Sequence, residues 1–312
     1  MGDQSQVPNL FRTHTYKGVV WPNIMLDSSI DAMATFDVRQ DDVWVVTYPK
    51  SGTHWMMEIA GLVLAEGCPE KIDRSLFSAS ICMIDVSQRL PSTRSEEELE
   101  PPDMTPFLTQ VERAPSPRLI WSHLSLALLP PNLLQRAKVL YLARNPKDVV
   151  TSMYNFYTKT PILKGVPFEA VFDQFIKEEI LWENWADHVN GFWEKREEEN
   201  LLFCTYEDMK KDPTEWVRRI AEHLGRPLTE DALQRVVDHS SFAGMRTTYT
   251  NVEKNSPFTA PTFGKSQPER VPFLSTGEVG RWKNRFTVAQ NEMFDEWYQK
   301  RFKGSSIRFS FE

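Results

Sequence analysis

Short, almost wholly apolar runs recur along the chain, separated by segments whose apolar residues return every three or four positions. The runs are VWVVTY from residue 43, LIWSH at 119–123, KVLYLA at 138–143 and LLFCT at 201–205. A strand that is apolar at consecutive positions has to be covered on both faces, which is the mark of a mostly parallel sheet between crossover helices. Helices are predicted at 53–66, 147–158, 168–199 with a break, 216–224, 230–237 and 288–302. The expected class is therefore α/β, a three-layer domain with helices on both faces of a central sheet.

Two stretches interrupt this alternation. Residues 88–118 carry six prolines and an acidic run at Glu96–Glu98, and residues 247–278 are polar with four prolines. Long irregular segments in a compact domain are expected to act as lids or binding loops, with passive loops as the alternative.

Composition narrows the class. A chain of 312 residues with 41% apolar positions can bury a large core, and no linker or internal repeat divides it, so a single domain over 1–312 is expected. The net charge of −7 argues against a nucleic-acid surface. The longest strongly apolar stretch, 124–129, is far too short for a membrane span, and the opening MGDQSQ does not read as a secretion signal. Cys68, Cys82 and Cys204 are scattered and show no metal-ligand spacing, which predicts reduced thiols and a soluble, cytoplasmic protein.

The first strand leads into candidate chemistry. Pro49 stops it, Gly52 allows a tight turn, and Thr53 opens a helix whose first N–H groups form a ready anion site, with Lys50 inside the loop. The loop is not a Walker A sequence, because its lysine precedes its only glycine. An ordinary strand-to-helix turn with Lys50 at its edge is the plainer reading.

The segment YLARNPKDVVTSMYNFY (141–157) repeats the logic, with Arg144 at a strand's carboxyl end and Asn-Pro opening a helix. Arg144 can fork onto a phosphate, and Ser152, two helical turns on, can add a hydroxyl; alternatively Arg144 pairs with Asp148 and Ser152 only packs. His123, at the end of its strand, can accept a proton near neutral pH or be a structural histidine.

The motifs TYPKSGTHW, SHLSLALLP, ARNPKDVVTSMYNFY, TYEDMKKDP, HSSFAGM and VGRWKNRFTVAQNE, in this order and spacing, resemble the cytosolic sulfotransferase family over residues 16–311. That resemblance implies a P-loop-like fold and a donor, 3′-phosphoadenosine 5′-phosphosulfate. It implies that Lys50, Ser51, Gly52 and Thr53 hold the 5′-phosphosulfate, with His54 in the same run, and that Trp55 stacks on adenine. Arg144 and Ser152 would hold the 3′-phosphate, and Tyr206, Ser240, Phe242 and Met245 would surround the adenosine. Phe156 would line an apolar acceptor pocket together with Trp121.

His123 would be the general base and Lys50 would stabilise the leaving 5′-phosphate, with Ser152 completing the catalytic set. By analogy with phosphoryl transfer, the sulfuryl group would move in line to a hydroxyl or amine of a small, largely apolar acceptor, and no metal is needed. Lys283, Thr287, Val288 and Glu292 match the family's dimerisation pattern and imply a small symmetric homodimer, whereas Thr287 alone also suits a helix N-cap.

Three positions differ from the family. Trp121-Ser122-His123 stands where Lys-Thr-His is usual, Ser275-Thr276-Gly277 where Arg-Lys-Gly is usual, and Gly280-Arg281-Trp282-Lys283 where Gly-Asp-Trp-Lys is usual. Losing two cations removes contacts worth on the order of 1.5–3 kcal/mol each when desolvated, or ~10-fold or more in donor affinity per contact. Arg281, Lys283 and Arg285 are candidates to compensate. A sulfotransferase-like binding protein with weak turnover is thus the main alternative, and a kinase using Lys50 a weaker one.

Overall fold

A computed structural model describes residues 13–22, 27–72, 107–158, 165–255 and 276–312. Strands β1 (Thr13–Tyr16) and β2 (Val19–Pro22) form an antiparallel hairpin. Strands β3 (Val43–Thr47), β4 (Leu119–Ser122), β5 (Lys138–Ala143) and β6 (Leu201–Thr205) form the central sheet, ordered β4-β3-β5-β6. All three pairings in it are parallel, with Val43 opposite both Leu119 and Lys138.

Alternate side chains of each strand enter two separate cores, which is why the runs read as continuously apolar. Trp44, Val46, Val139, Tyr141 and Ile120 face one core with the helices Phe168–Ile176 and Trp185–Trp193. Val43, Val45, Leu140, Leu142 and Cys204 face the other with the helices Thr53–Leu64, Pro213–His223 and Glu230–Ser240. The α/β expectation, with helices on both faces of a mostly parallel sheet, holds. A buried ion pair between Asp42 and Arg118 joins the starts of β3 and β4, with Arg118 Nε donating to Asp42 Oδ1 at 2.7 Å.

The predicted helices sit within a few residues of their expected limits, and the break in 168–199 falls at 177–184. Two parts of the predicted irregular stretches are helical: Phe107–Arg113 lies inside 88–118, and the helix Phe242–Asn255 runs into 247–278. Neither segment contains proline, so nothing there interrupts the backbone hydrogen bonding. Residues 88–106 and 256–275, with the remaining prolines of both stretches up to Pro106 and Pro272, lie outside the described residues, as does Cys82. Among the described residues no helix is long and apolar enough to cross a membrane.

Candidate functional site

The carboxyl ends of β3, β4 and β5 converge on one region, the position at which open α/β sheets hold ligands. After β3 the chain turns sharply: Lys50 has φ 69° and Gly52 φ 113° before the helix Thr53–Leu64 begins. A Cβ on Gly52 would lie 2.9 Å from Tyr206 Cδ2 and 3.2 Å from Leu142 Cδ2, so both conformation and space require glycine. The hydroxyl of Ser51 is buried with no hydrogen-bond partner among the described residues. An unmet buried hydroxyl beside a helix N-terminus suits an incoming anion. Lys50 Nζ lies 3.7 Å from the ring centroid of Phe156.

At the end of β4, His123 and Trp121 are two residues apart and therefore share a face. Sequence reasoning carries the strand through His123, but it ends at Ser122. The physical reason is local: the carbonyl of Thr47, which would continue the ladder, instead accepts from the His123 ring, with Nδ1 to oxygen 2.8 Å. A carbonyl only accepts, so Nδ1 carries the proton and the lone pair lies on Nε2. Thr47 Oγ1 lies 3.3 Å from the same Nδ1 and 2.7 Å from Thr53 Oγ1.

The ring of His123 is enclosed edge-on by Trp121 at 5.1 Å and Trp182 at 5.3 Å. Burial pushes its pKa down to about 4, the Lys50 charge adds to the shift, and the bond to the Thr47 carbonyl opposes it. His54, 6.1 Å from Trp121 between ring centroids, is pushed down to about 3, first by burial and then by Lys50 and His123. Both imidazoles are therefore neutral at physiological pH.

Around β5, Arg144 is held on three sides. Its Nη2 donates to the carbonyl of Glu278 at 2.9 Å, it pairs with Asp148 at 3.6 Å, and its guanidinium lies 4.3 Å from the Tyr206 ring centroid. The expected alternative pairing with Asp148 is thus present, yet Nε remains buried with no hydrogen-bond partner among the described residues. Asp148 also accepts from the backbone N–H groups of Gly280 and Trp282, at 2.8 and 3.0 Å. Ser152 is half-buried on the helix Pro146–Tyr157.

The remaining candidates gather here. Trp55 meets Tyr206 edge-on at 5.1 Å. Ser240 and Met245 are buried, and Phe242, 37% exposed, lies where a Cβ on Gly277 would come within 2.9 Å of its ring. Thr276 is half-buried, while Ser275 lies outside the described residues. The three possible compensating cations are engaged elsewhere: Arg281 with Glu278 at 3.1 Å, Lys283 with Glu312 at 2.6 Å, and Arg285 over Tyr154 at 4.8 Å. On the far helix Val288–Arg301, Thr287 is the N-cap of a capping box, Lys283, Thr287 and Glu292 are exposed, and Val288 is 76% exposed.

Several neighbours were not singled out from sequence. Trp182 contributes from an isolated antiparallel bridge to Val20, with φ 73°, Tyr249 donates to the carbonyl of His54 at 3.3 Å, and Tyr141 and His188 stand behind His123. Apolar periodicity marks such residues as buried and says nothing of their partners.

Residues 40–306 match the family described as Sulfotransferase domain. Sulfotransferase 2B1 of Rattus norvegicus is 39% identical over 93% of this chain and 79% of its own length. Sulfotransferase 1C2 of Homo sapiens is 36% identical over 89% of this chain and 88% of its own. Among solved structures, the mouse sulfotransferase SULT7A1 complexed with PAP superimposes with a TM-score of 0.71 at 27% identity, covering 94% of this chain and 95% of that one.

Proposed function

The chain belongs to the sulfotransferase family, and from that premise we propose that it moves a sulfuryl group, in line, from 3′-phosphoadenosine 5′-phosphosulfate to a hydroxyl or amine of a small, largely apolar acceptor. The new bond joins the acceptor oxygen to sulfur as the bond from sulfur to the bridging oxygen of the 5′-phosphate breaks. The hydroxyl proton goes to Nε2 of His123, and the charge on the departing phosphate is met by Lys50 and the N–H groups of the first turn after Gly52. Trp121, Trp182 and Phe156 give the acceptor an aromatic surface, and Tyr206 and Trp55 form the platform for the nucleotide.

The observation that carries this reading is the 2.8 Å bond from His123 Nδ1 to the Thr47 carbonyl, which leaves Nε2 as the acceptor atom beside Lys50. Donor chemistry is supported by the unmet hydroxyl of Ser51 and the unmet Nε of Arg144, and by the PAP carried by SULT7A1. The test is transfer of radiolabelled sulfate from the donor to a library of phenols, alcohols, steroids and amines, with mass detection. Activity that disappears in His123→Ala is expected; equal incorporation by wild type and His123→Ala would sink the mechanism.

One observation favours a second reading, a binding protein with weak donor turnover: Arg144 is already bonded to Glu278 and Asp148, and Arg281, Lys283 and Arg285 are engaged elsewhere. Calorimetry with 3′-phosphoadenosine 5′-phosphate decides between the two, since tight binding together with turnover excludes it.

We further read the chain as one cytoplasmic domain with lid or binding loops within 88–118 and 247–278, and as a homodimer through the exposed patch of Lys283, Thr287, Val288 and Glu292. Sedimentation of Val288→Glu as a monomer, against a dimeric wild type, is the expected result; equal sedimentation removes that patch from consideration.

A further inference from the structure

Behind the proposed base lies a buried polar chain that no step of the reaction uses. His188, 0% exposed on the helix Trp185–Trp193, places Nε2 3.1 Å from the carbonyl oxygen of His123. Its Nδ1 lies 2.8 Å from the hydroxyl of Tyr141, a β5 residue that is itself fully buried. The carbonyl can only accept, so Nε2 carries the proton; a neutral imidazole has one N–H, so Nδ1 accepts from the Tyr141 hydroxyl. Every proton along the chain is thereby assigned. Burial pushes His188 down to about 3 and Tyr141 well above its ordinary value, so both stay neutral and this assignment does not change with physiological pH.

We propose that His188 is a positioning residue, which clamps the peptide carbonyl of His123 through Nε2–H while Tyr141 holds His188 in the required tautomer. His123 is then restrained at two independent points: its ring by Thr47 and its main chain by His188. The two restraints come from different elements, one from the neighbouring strand β3 and one from a helix on the covering layer. With β4 ending at Ser122, no sheet pairing among the described residues holds the peptide that follows; its N–H, on Leu124, donates to the Ser122 hydroxyl at 3.0 Å, and its carbonyl is held by the side chain of His188. This proposal rests on His123 being the base.

Three substitutions separate positioning from packing. Gln puts an amide N–H near the place of Nε2, Asn puts it near Nδ1, and Leu has neither. His188→Leu and His188→Asn are expected to lower kcat about 10- to 100-fold with the acceptor KM little changed, because a base displaced by a fraction of an ångström loses its alignment. His188→Gln should recover kcat to within about threefold of wild type, and Tyr141→Phe, the mildest change, should fall between. Denaturant unfolding of each variant confirms a folded protein.

A second readout needs no substrate. Long-range nitrogen–proton NMR of the imidazoles should show Nδ1–H on His123 and Nε2–H on His188, with the His123 signal shifted or broadened in His188→Leu and restored in His188→Gln. Leu and Gln variants with equal kcat, or a His188 proton on Nδ1, would overturn the proposal. An inactive wild type would instead overturn the reaction assigned to the chain, and the His123 signal would still decide whether His188 positions it.

Discussion

The ammonium nitrogen of Lys50 stands 3.7 Å from the ring centroid of Phe156, so the lysine proposed to meet the leaving phosphate touches the aromatic residue proposed to line the acceptor pocket. The two halves of the reaction are in direct contact at this pair, and the two substitutions should have separable effects. Lys50→Ala is expected to lower kcat about 100- to 1,000-fold, as loss of a preorganised cation usually does. Phe156→Ala should instead raise the acceptor KM by roughly 10-fold with a smaller effect on kcat, because it removes apolar contact and leaves the charge in place. Steady-state kinetics on both variants checks this; a kcat loss in Phe156→Ala as large as in Lys50→Ala would contradict it.

With His123 as the proposed base, its pKa, pushed down to about 4 by burial, is expected to set the acid limb of the reaction. Protonation removes the lone pair on Nε2, so kcat/KM should stay flat from neutral pH down to about 5 and fall below that, and a limb centred near the ordinary histidine value of 6.5 would show that the ring is not desolvated. A profile of kcat/KM from pH 4 to 8 at constant ionic strength makes the measurement.

Gly52→Ala combines a left-handed φ of 113° with a Cβ 2.9 Å from the Tyr206 ring. A cost of about 1–3 kcal/mol in unfolding free energy is expected, together with loss of nucleotide affinity because Tyr206 must move. Denaturant titration and calorimetry with 3′-phosphoadenosine 5′-phosphate test the two effects separately. An alanine variant with wild-type stability and affinity would mean that the loop is not a rigid cradle.

Stability should fall as the solution is acidified below pH 6.5. His54 and His188 are pushed down to about 3, and His123 and His223 to about 4, so the unfolded chain binds protons that the folded chain refuses. The stabilisation from each is fully present above its unfolded value and is lost as pH falls towards its folded value, by up to about 1.4 kcal/mol per pH unit. Glu207, raised to about 7 by burial, acts oppositely: its contribution is present below pH 4.5 and is lost as pH rises through 7. Glu183, also raised by burial, acts in the same sense as Glu207, and four histidines outweigh these two carboxyls, so the denaturation midpoint should drop from pH 6.5 to 4.5. A midpoint that holds or rises over that interval would refute the accounting.

The two central strands were legible because each is buried on both faces, so VWVV and the VLYLA of β5 carry no polar interruption. The anion loop was legible because its parts are contiguous: Pro49, Lys50, Gly52 and Thr53 form a turn and a helix start within five residues. Other features depend on pairing at a distance. Tyr141 and His188 are 47 residues apart, and a histidine on an apolar helix face has the same sequence signature whether it packs or donates. The end of β4 one residue early was likewise invisible, because it depends on a ring nitrogen of His123 taking the Thr47 carbonyl. The helix Phe242–Asn255 was missed because the prolines that follow it dominated the reading of a stretch it only partly enters.

Asp148 receives N–H groups from Asn145, Gly280 and Trp282 and pairs with Arg144, while Trp282 in turn donates to the carbonyl of Phe311. A single carboxylate is therefore a hub through which two distant stretches of chain are tethered to Arg144, the arginine proposed to hold the nucleotide. Disturbance at Phe311 would be transmitted inward along this tether, so, on the proposed function, a tag, antibody or partner engaging residues 311–312 is expected to alter nucleotide exchange without touching Arg144.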